Sequence, residues 1–297
     1  MRWHSIVVLG FSLFISSLFF SCREKVNWDF PEFEAVPTIN SFFVAGEPIK
    51  IHVSLAGKFD SIPLGVVDDA NVAVFADGNF IENITDNQQG VYTTSFNAQP
   101  GVEYHCEVAI PDFQTVTAEN TIPQPNSILN IEHINFAGVD EEGVSYPAVK
   151  VEFSNNPNEN LYFEVVIHLQ KFDWDTRPEL ISITDPVLLN EGLPITLFSN
   201  EIINGDSYSM TINYTTGSAS YSSETGWHSE LYPLTVELRS VSYDYYMYVK
   251  QLYLYETGRY PSIIGGVVTP FPLYSNVNGG YGIFAGYSSV QTDTIYP

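Results

Sequence analysis

Few residues of this chain have a type and spacing that could do chemistry, and one stands apart. Cys22 closes an apolar run over residues 6–20 that follows a positively charged start at Arg2, with the small residue Ser21 directly before it. A charged n-region, a short apolar h-region, a small residue and then cysteine is the layout of a bacterial lipoprotein signal. The expected chemistry is acylation, with palmitate among the chains it would carry, making Cys22 the first residue of the mature protein. A transmembrane helix needs about 20 apolar residues, and the chain turns polar at Arg23-Glu24-Lys25 before that length is reached. An ordinary cleaved signal is the nearer alternative, because Phe19 and Phe20 are bulky where smaller residues are more usual.

The remaining reactive types do not converge. Cys106 has His105 as its neighbour, but adjacent residues on a strand point to opposite faces, so a nucleophile–base pair is not expected there. The six histidines are scattered; His133, His168 and His228 have no second histidine or cysteine at metal-ligand spacing. Asp140-Glu141-Glu142 and Asp173/Asp175 could offer oxygens to calcium, yet neither has the alternating pattern of a calcium loop. No metal and no cofactor is expected. A glycosidase acid pair requires two carboxylates at a fixed separation, and nothing singles out two among thirty-five acidic residues.

Aromatic residues are the other informative type. Eleven of the nineteen tyrosines follow residue 240. Tyrosine offers rigid contact area with one polar tip, suited to core packing and to binding faces alike. Tyr260, Phe271, Tyr274 and Tyr281, in or beside a Gly/Pro-rich stretch, are the candidates for a binding face.

These residues must be held by β structure. Apolar/polar alternation marks strands at 38–44, 49–55, 71–76, 80–84, 90–96, 102–110 and 113–122, broken by Asp77-Gly78, Pro100-Gly101 and Pro111-Asp112. Seven short strands over 36–123 suit an immunoglobulin-like β-sandwich. Pro123-Gln124-Pro125 then acts as a connector into a second β-rich domain, 124–297. Its strands lie at 128–135, 148–153, 161–171, 194–198, 207–214, 234–240, 281–287 and 290–296, with long polar loops at 172–193 and 215–232. One helix is expected over 243–257: Ser242 can cap it, Asp244 suits its N-terminal end and Gly258 can close it. Residues 1–21 read as the signal and 22–35 as a tether.

The net charge of −24, from 11 basic against 35 acidic residues, excludes a nucleic-acid partner, which needs a basic stripe. It also repels an anionic membrane surface, so the lipid on Cys22 must do the anchoring.

Several stretches together resemble one family. They are Cys22-Arg23-Glu24-Lys25-Val26 with Phe30-Pro31-Glu32, then Gly90-Val91-Tyr92, Gly101-Val102-Glu103-Tyr104 and Thr121-Ile122-Pro123. The stretches Tyr243-Asp244-Tyr245-Tyr246 and 275–284 (SNVNGGYGIF) complete the set. In order and spacing they are similar to a Bacteroidota lipoprotein family catalogued as domain of unknown function 4249. The resemblance implies an outer-membrane lipoprotein working beside a TonB-dependent transporter, with no catalytic residues to carry over. The expected function is thus a non-catalytic binding or accessory role in nutrient uptake, with the ligand unknown. The alternatives are a surface hydrolase acting on glycosides or peptides, and an adhesion module. Because Arg23-Glu24-Lys25 lacks the acidic run of surface-exported lipoproteins, the periplasmic and cell-surface faces both stay open.

Overall fold

The computed structural model describes residues 34–57, 65–171, 174–258 and 272–297, with the backbone alone for Trp174 and Asp175. In the first half of the chain the strands are β1 (Val36–Val44), β2 (Pro48–Ala56), β3 (Gly65–Val66), β4 (Asn71–Ala76) and β5 (Asn79–Ile84). They continue as β6 (Asn87–Gln88), β7 (Val91–Asn97), β8 (Glu103–Ala109) and β9 (Val116–Thr121). The second half opens with β10 (Ile128–Val139), β11 (Val144–Ser154), β12 (Tyr162–Lys171), β13 (Trp174–Thr176) and β14 (Glu179–Leu180). Helix α1 (Pro186–Glu191), β15 (Leu197–Ser199), β16 (Ser207–Thr215), β17 (Ala219–Ser222) and β18 (Gly226–Ser229) follow. The chain ends with β19 (Leu234–Val241), helix α2 (Tyr243–Gly258), β20 (Val277–Asn278) and β21 (Tyr281–Gln291).

The protein is mainly β, arranged as sandwiches that share one sheet. A ten-stranded sheet carries the order β13-β12-β19-β21-β1-β2-β7-β6, with β15 beside β12 and β3 beside β2. A five-stranded sheet, β20-β9-β8-β4-β5, lies over one end of it, and a six-stranded sheet built around β11 lies over the other.

Alternation explains why each strand faces as it does. In β8, Tyr104, Cys106 and Val108 point inward and are buried, while His105 points outward toward Glu107 and Glu119. The first core gathers Ile39, Ile51, Val72, Val108 and Tyr92 from the first half of the chain. It also takes Val277 and Phe284 from the C-terminal end. The second core is built on Val151, Phe153, Phe163, Ile212 and Val236. Residue 123 therefore marks a change of core within one connected sheet, and residues 35–297 form a single compact unit.

Two tyrosines brace the first sandwich. The Tyr104 hydroxyl accepts a hydrogen bond from the Gln99 amide at 2.9 Å, the tyrosine-corner arrangement seen in other sandwiches. The Tyr92 hydroxyl accepts from the Ala70 amide at 2.9 Å and donates to the Val67 carbonyl at 3.1 Å.

The stretches without alternation hold short elements. Residues 172–193 contain β14 and α1, which opens on Asp185: its carboxylate accepts from the Val187 amide at 2.9 Å, and Pro186 takes the first helical position. Residues 215–232 fold into the hairpin β17–β18. The two closing strands expected at 281–287 and 290–296 are instead one continuous strand, β21, followed by a single bridge from Ile295 to Leu234. Small Ser288 and Ser289 leave the ladder unbroken.

β21 lies between β19, antiparallel, and β1, parallel. In the parallel register Gly282 sits opposite Ile39, with φ +115°, and a Cβ there would collide with the Ile39 carbonyl oxygen. Gly282→Ala is therefore expected to cost more than ~3 kcal/mol in urea unfolding. Gly143→Ala, at φ +84° in open space, pays backbone strain alone, about 1–2 kcal/mol. Equal costs would mean that the close approach of β1 and β21 is not what demands glycine.

Candidate functional site

Helix α2 lies across the outer face of the ten-stranded sheet, and the charged side chains of that face collect beneath it. Ser242 caps it, accepting from the Tyr245 amide at 3.3 Å. Asp244 does more than face the helix dipole: it accepts from Asn120 of β9 at 2.6 Å and from the Tyr274 hydroxyl. Asn120 in turn accepts from the Gly286 amide at 2.8 Å. One carboxylate thus ties the helix to both sheets of the first sandwich.

Under the helix, Arg239 of β19 lies between two carboxylates. Its guanidinium donates to Glu164 of β12 at 3.0 Å and to Glu237 at 2.8 Å, with all three side chains 11–12% exposed. Tyr245 donates to the same Glu164 at 2.7 Å, and the guanidinium stacks over the Tyr287 ring at 4.9 Å. His168 adds a contact to Glu237 at 3.2 Å. Burial alone would raise the Glu237 carboxyl, but the Arg239 hydrogen bond and charge and the His168 bond hold it below its ordinary range. Burial would lower Arg239, and Glu237 and Glu164 raise it instead.

A second cluster pins α1 to α2. Glu191, with 3% of its side chain exposed, accepts from Lys250 at 2.7 Å, Tyr246 at 2.6 Å and the Ser199 amide at 2.7 Å. Burial pushes its carboxyl up, and these donors bring it down past the ordinary value.

Alongside these clusters runs a groove of about 630 Å³. Val249, Leu252 and Tyr253 of α2 form one wall, and Pro178, Pro194 and Ile195 the other. Glu164 and Arg177 stand in it, 3.8 Å apart, with Arg177 59% exposed. Its size and mostly apolar lining suit a small ligand or the side chains of a partner segment. A glycosidase needs one carboxyl raised to act as acid; Glu237 and Glu191 are displaced the other way and are bound to cations.

The residues expected to form a binding face are separated by their surroundings. Tyr274 is half-buried, bonded to Asp244 and edge-on to Tyr243 at 6.5 Å. Its hydroxyl is raised by burial and by Asp244, so it acts as a brace. Tyr281 is 56% exposed at the start of β21. Cys22, Tyr260 and Phe271 lie outside the described residues. Cys106 is fully buried, and burial pushes its thiol up to about 12. Asp140 accepts from the amides of Glu142 and Val144, shaping the β10–β11 turn. Asp173 and the Asp175 side chain fall outside the description. Among the described residues no group of three His, Cys, Asp or Glu side chains is arranged so that it could hold a metal ion, and no helix is long and apolar enough to cross a membrane.

Arg239, Glu164 and Glu191 escape a reading of the sequence by motif. The available signal was Glu237-x-Arg239 on a strand, which sets an acid and a base on one face.

Comparison with known proteins adds three findings. The model of a family described as "Domain of unknown function (DUF4249)" matches residues 23–293. No curated protein matches the sequence. A solved structure titled as a putative membrane anchored protein from Corynebacterium diphtheriae aligns over 71% of this chain and 55% of its own, at 8% identity and TM-score 0.22. The chain thus spans about half the length of that protein.

Removing Arg239 would take the shared counter-charge from Glu237 and leave Glu164 only the exposed Arg177, 3.8 Å away, so Arg239→Met should cost about 3–5 kcal/mol in chemical denaturation. A change below 1 kcal/mol would show the triad to be dispensable. A pH dependence follows as well. Glu191 and Glu237 have folded-state values below their ordinary 4.5. The stability they supply is complete above that value and is lost as pH falls through the lowered ones. Urea midpoints should drop between pH 5 and pH 3, and Glu191→Gln should flatten that fall; an equally steep fall in the variant would contradict it.

Proposed function

The chain belongs to the family described as domain of unknown function 4249, and we propose that it is a non-catalytic binding or accessory lipoprotein. In this reading Cys22 carries the lipid that holds it at the outer membrane of a Bacteroidota cell. Its body assists a TonB-dependent transporter in nutrient uptake. The observation that carries the proposal is the sequence arrangement around Cys22: a basic start, a short apolar run and a small residue, directly followed by cysteine.

The non-catalytic part rests on the state of the buried acids. Glu164 and Glu237 are joined through Arg239, and Glu191 is held by Lys250 and Tyr246. Acids bound to cations in this way are suited to bracing a scaffold. The groove beside α2 and the exposed Tyr281 make up the proposed contact surface. Arg177 is suited to contact because it is the exposed member of its ion pair and can exchange Glu164 for a partner's acid.

Cells fed labelled palmitate should incorporate it into the wild-type chain and not into Cys22→Ala, which should leave the membrane fraction. Label that persists in the variant would end the lipid-anchor reading. Detergent pull-down of the wild type should recover a TonB-dependent transporter, and repeated recovery of none would end the accessory role.

A further inference from the structure

A second cavity, of about 690 Å³, lies on the opposite sheet, between the end of β10 and the hairpin β17–β18. Its shape comes from two irregularities. The β10–β11 register slips between Ile134 and Gly138, so residues 135–137 bulge out of the ladder. Bulges of this kind re-aim side chains, here bringing Asn135 and Phe136 to the cavity wall. Gly138 ends the bulge, where a Cβ would come against the ring and hydroxyl of Tyr146. The hairpin, for its part, joins β11 by only two residue pairs, Val144 with Trp227 and Ser145 with His228. It extends the edge of that sheet and forms the facing wall.

The lining is rich in hydroxyl, amide and imidazole groups, with one carboxylate, Glu230, and the rings of Phe136 and Tyr232. Phe136 is 66% exposed. His228 and Ser220 are cross-strand partners, with Nε2 and Oγ 3.1 Å apart. The Gly226 carbonyl lies 3.4 Å from Nδ1, and in the tautomer with the proton on Nδ1 the Nε2 lone pair accepts from Ser220. The serine oxygen keeps its lone pairs for a further donor. Glu230 accepts from the Tyr232 hydroxyl at 2.8 Å, and the Tyr232 ring lies under the Lys171 ammonium at 5.4 Å. The one acid of the wall is thereby tied down by a neutral donor.

We infer that this cavity binds a neutral sugar: Phe136 stacks on the apolar face of one ring while Asn135, Ser220, His228 and Glu230 exchange hydrogen bonds with its hydroxyls. A pyranose has one C–H face and a rim of hydroxyls, each both donor and acceptor. A flat exposed ring bordered by mixed donors and acceptors is its complement. An anionic ligand fits poorly, because the chain carries a net charge of −24 and the nearest acid faces the cavity. The inference rests on the binding-protein reading above and names the ligand class for it, at a site away from the α2 groove.

The test is titration calorimetry of the full chain in detergent with four neutral hexasaccharides: α-1,4-glucan, β-1,4-glucan, β-1,3-glucan and β-1,4-mannan. At least one should bind. Phe136→Ala and His228→Ala should each weaken binding about tenfold or more, while leaving the thermal midpoint and the pull-down of a transporter as in the wild type. No heat with any of the four would overturn the site, and so would binding that both variants retain. Failure of the wild type to bind any of the four sugars while a transporter is still recovered sinks only this inference; failure of the wild type to recover a transporter sinks the accessory role. Should either variant melt early, Asn135→Ala and Ser220→Ala carry the same test from the exposed side of the bulge and the hairpin.

Discussion

The fold depends on the placement of one strand. β21, near the end of the chain, inserts between β1, near its beginning, and β19, and without it the ten-stranded sheet would fall into two halves. A parallel neighbour so distant in sequence pays a large loop-closure entropy before any contact repays it. Repayment comes through burial of Phe284 in the first core, and of Ile283 and Ala285 beneath α2. Asn276 helps at the edge, where its amide group accepts from the Phe284 N–H and donates to the Phe284 carbonyl, standing in for a strand partner. The first core and the seat of α2 depend on this insertion.

The helix is held by polar contacts more than by an apolar stripe. Tyrosines occupy several of its faces, and their hydroxyls reach Glu164 and Glu191 while their rings pack on Phe42, Tyr162 and Tyr287. Tyrosine suits this task because its ring brings buried area and its hydroxyl satisfies a carboxylate that the helix would otherwise strand. Part of the C-terminal excess of tyrosine is explained in this way, while Tyr243, Tyr255, Tyr281 and Tyr296 keep exposed rings in the same region.

What could be read from the sequence was whatever depends on neighbours. The alternation of Tyr104, His105 and Cys106 foretold which faces the core, and Ser242 and Gly258 marked the bounds of α2. The Asp77-Gly78 turn joins β4 and β5 as its residues suggest. Pairings between distant residues left no local mark: nothing in residues 281–291 announces a parallel partner at residues 38–44. Polar loops hid the β17–β18 hairpin, whose small and hydroxyl-bearing residues alternate too weakly to register as strands. The candidate sites suffered most, since the bulge over residues 135–137 is a slip between two strands and no property of either alone.

Charge links the two surfaces. With 11 basic residues against 35 acidic ones, every cation placed inside the body has strong competition for it. Arg239 and Lys250 go to the acids buried under and beside α2, and Lys171 reaches the hairpin through Ser218 and the Tyr232 ring. Using cations for internal pairs adds to the acid excess of the surface, which disfavours anionic ligands. Recognition on such a surface falls to neutral groups, where hydrogen bonds and exposed rings do the selecting. The cavity beside the hairpin is built from those groups, whereas the groove beside α2 keeps one exposed guanidinium, Arg177, able to engage a partner's acid. The two concavities therefore differ in charge: the cavity beside the hairpin is lined chiefly by uncharged groups, and the groove beside α2 carries the one guanidinium of Arg177 next to Glu164.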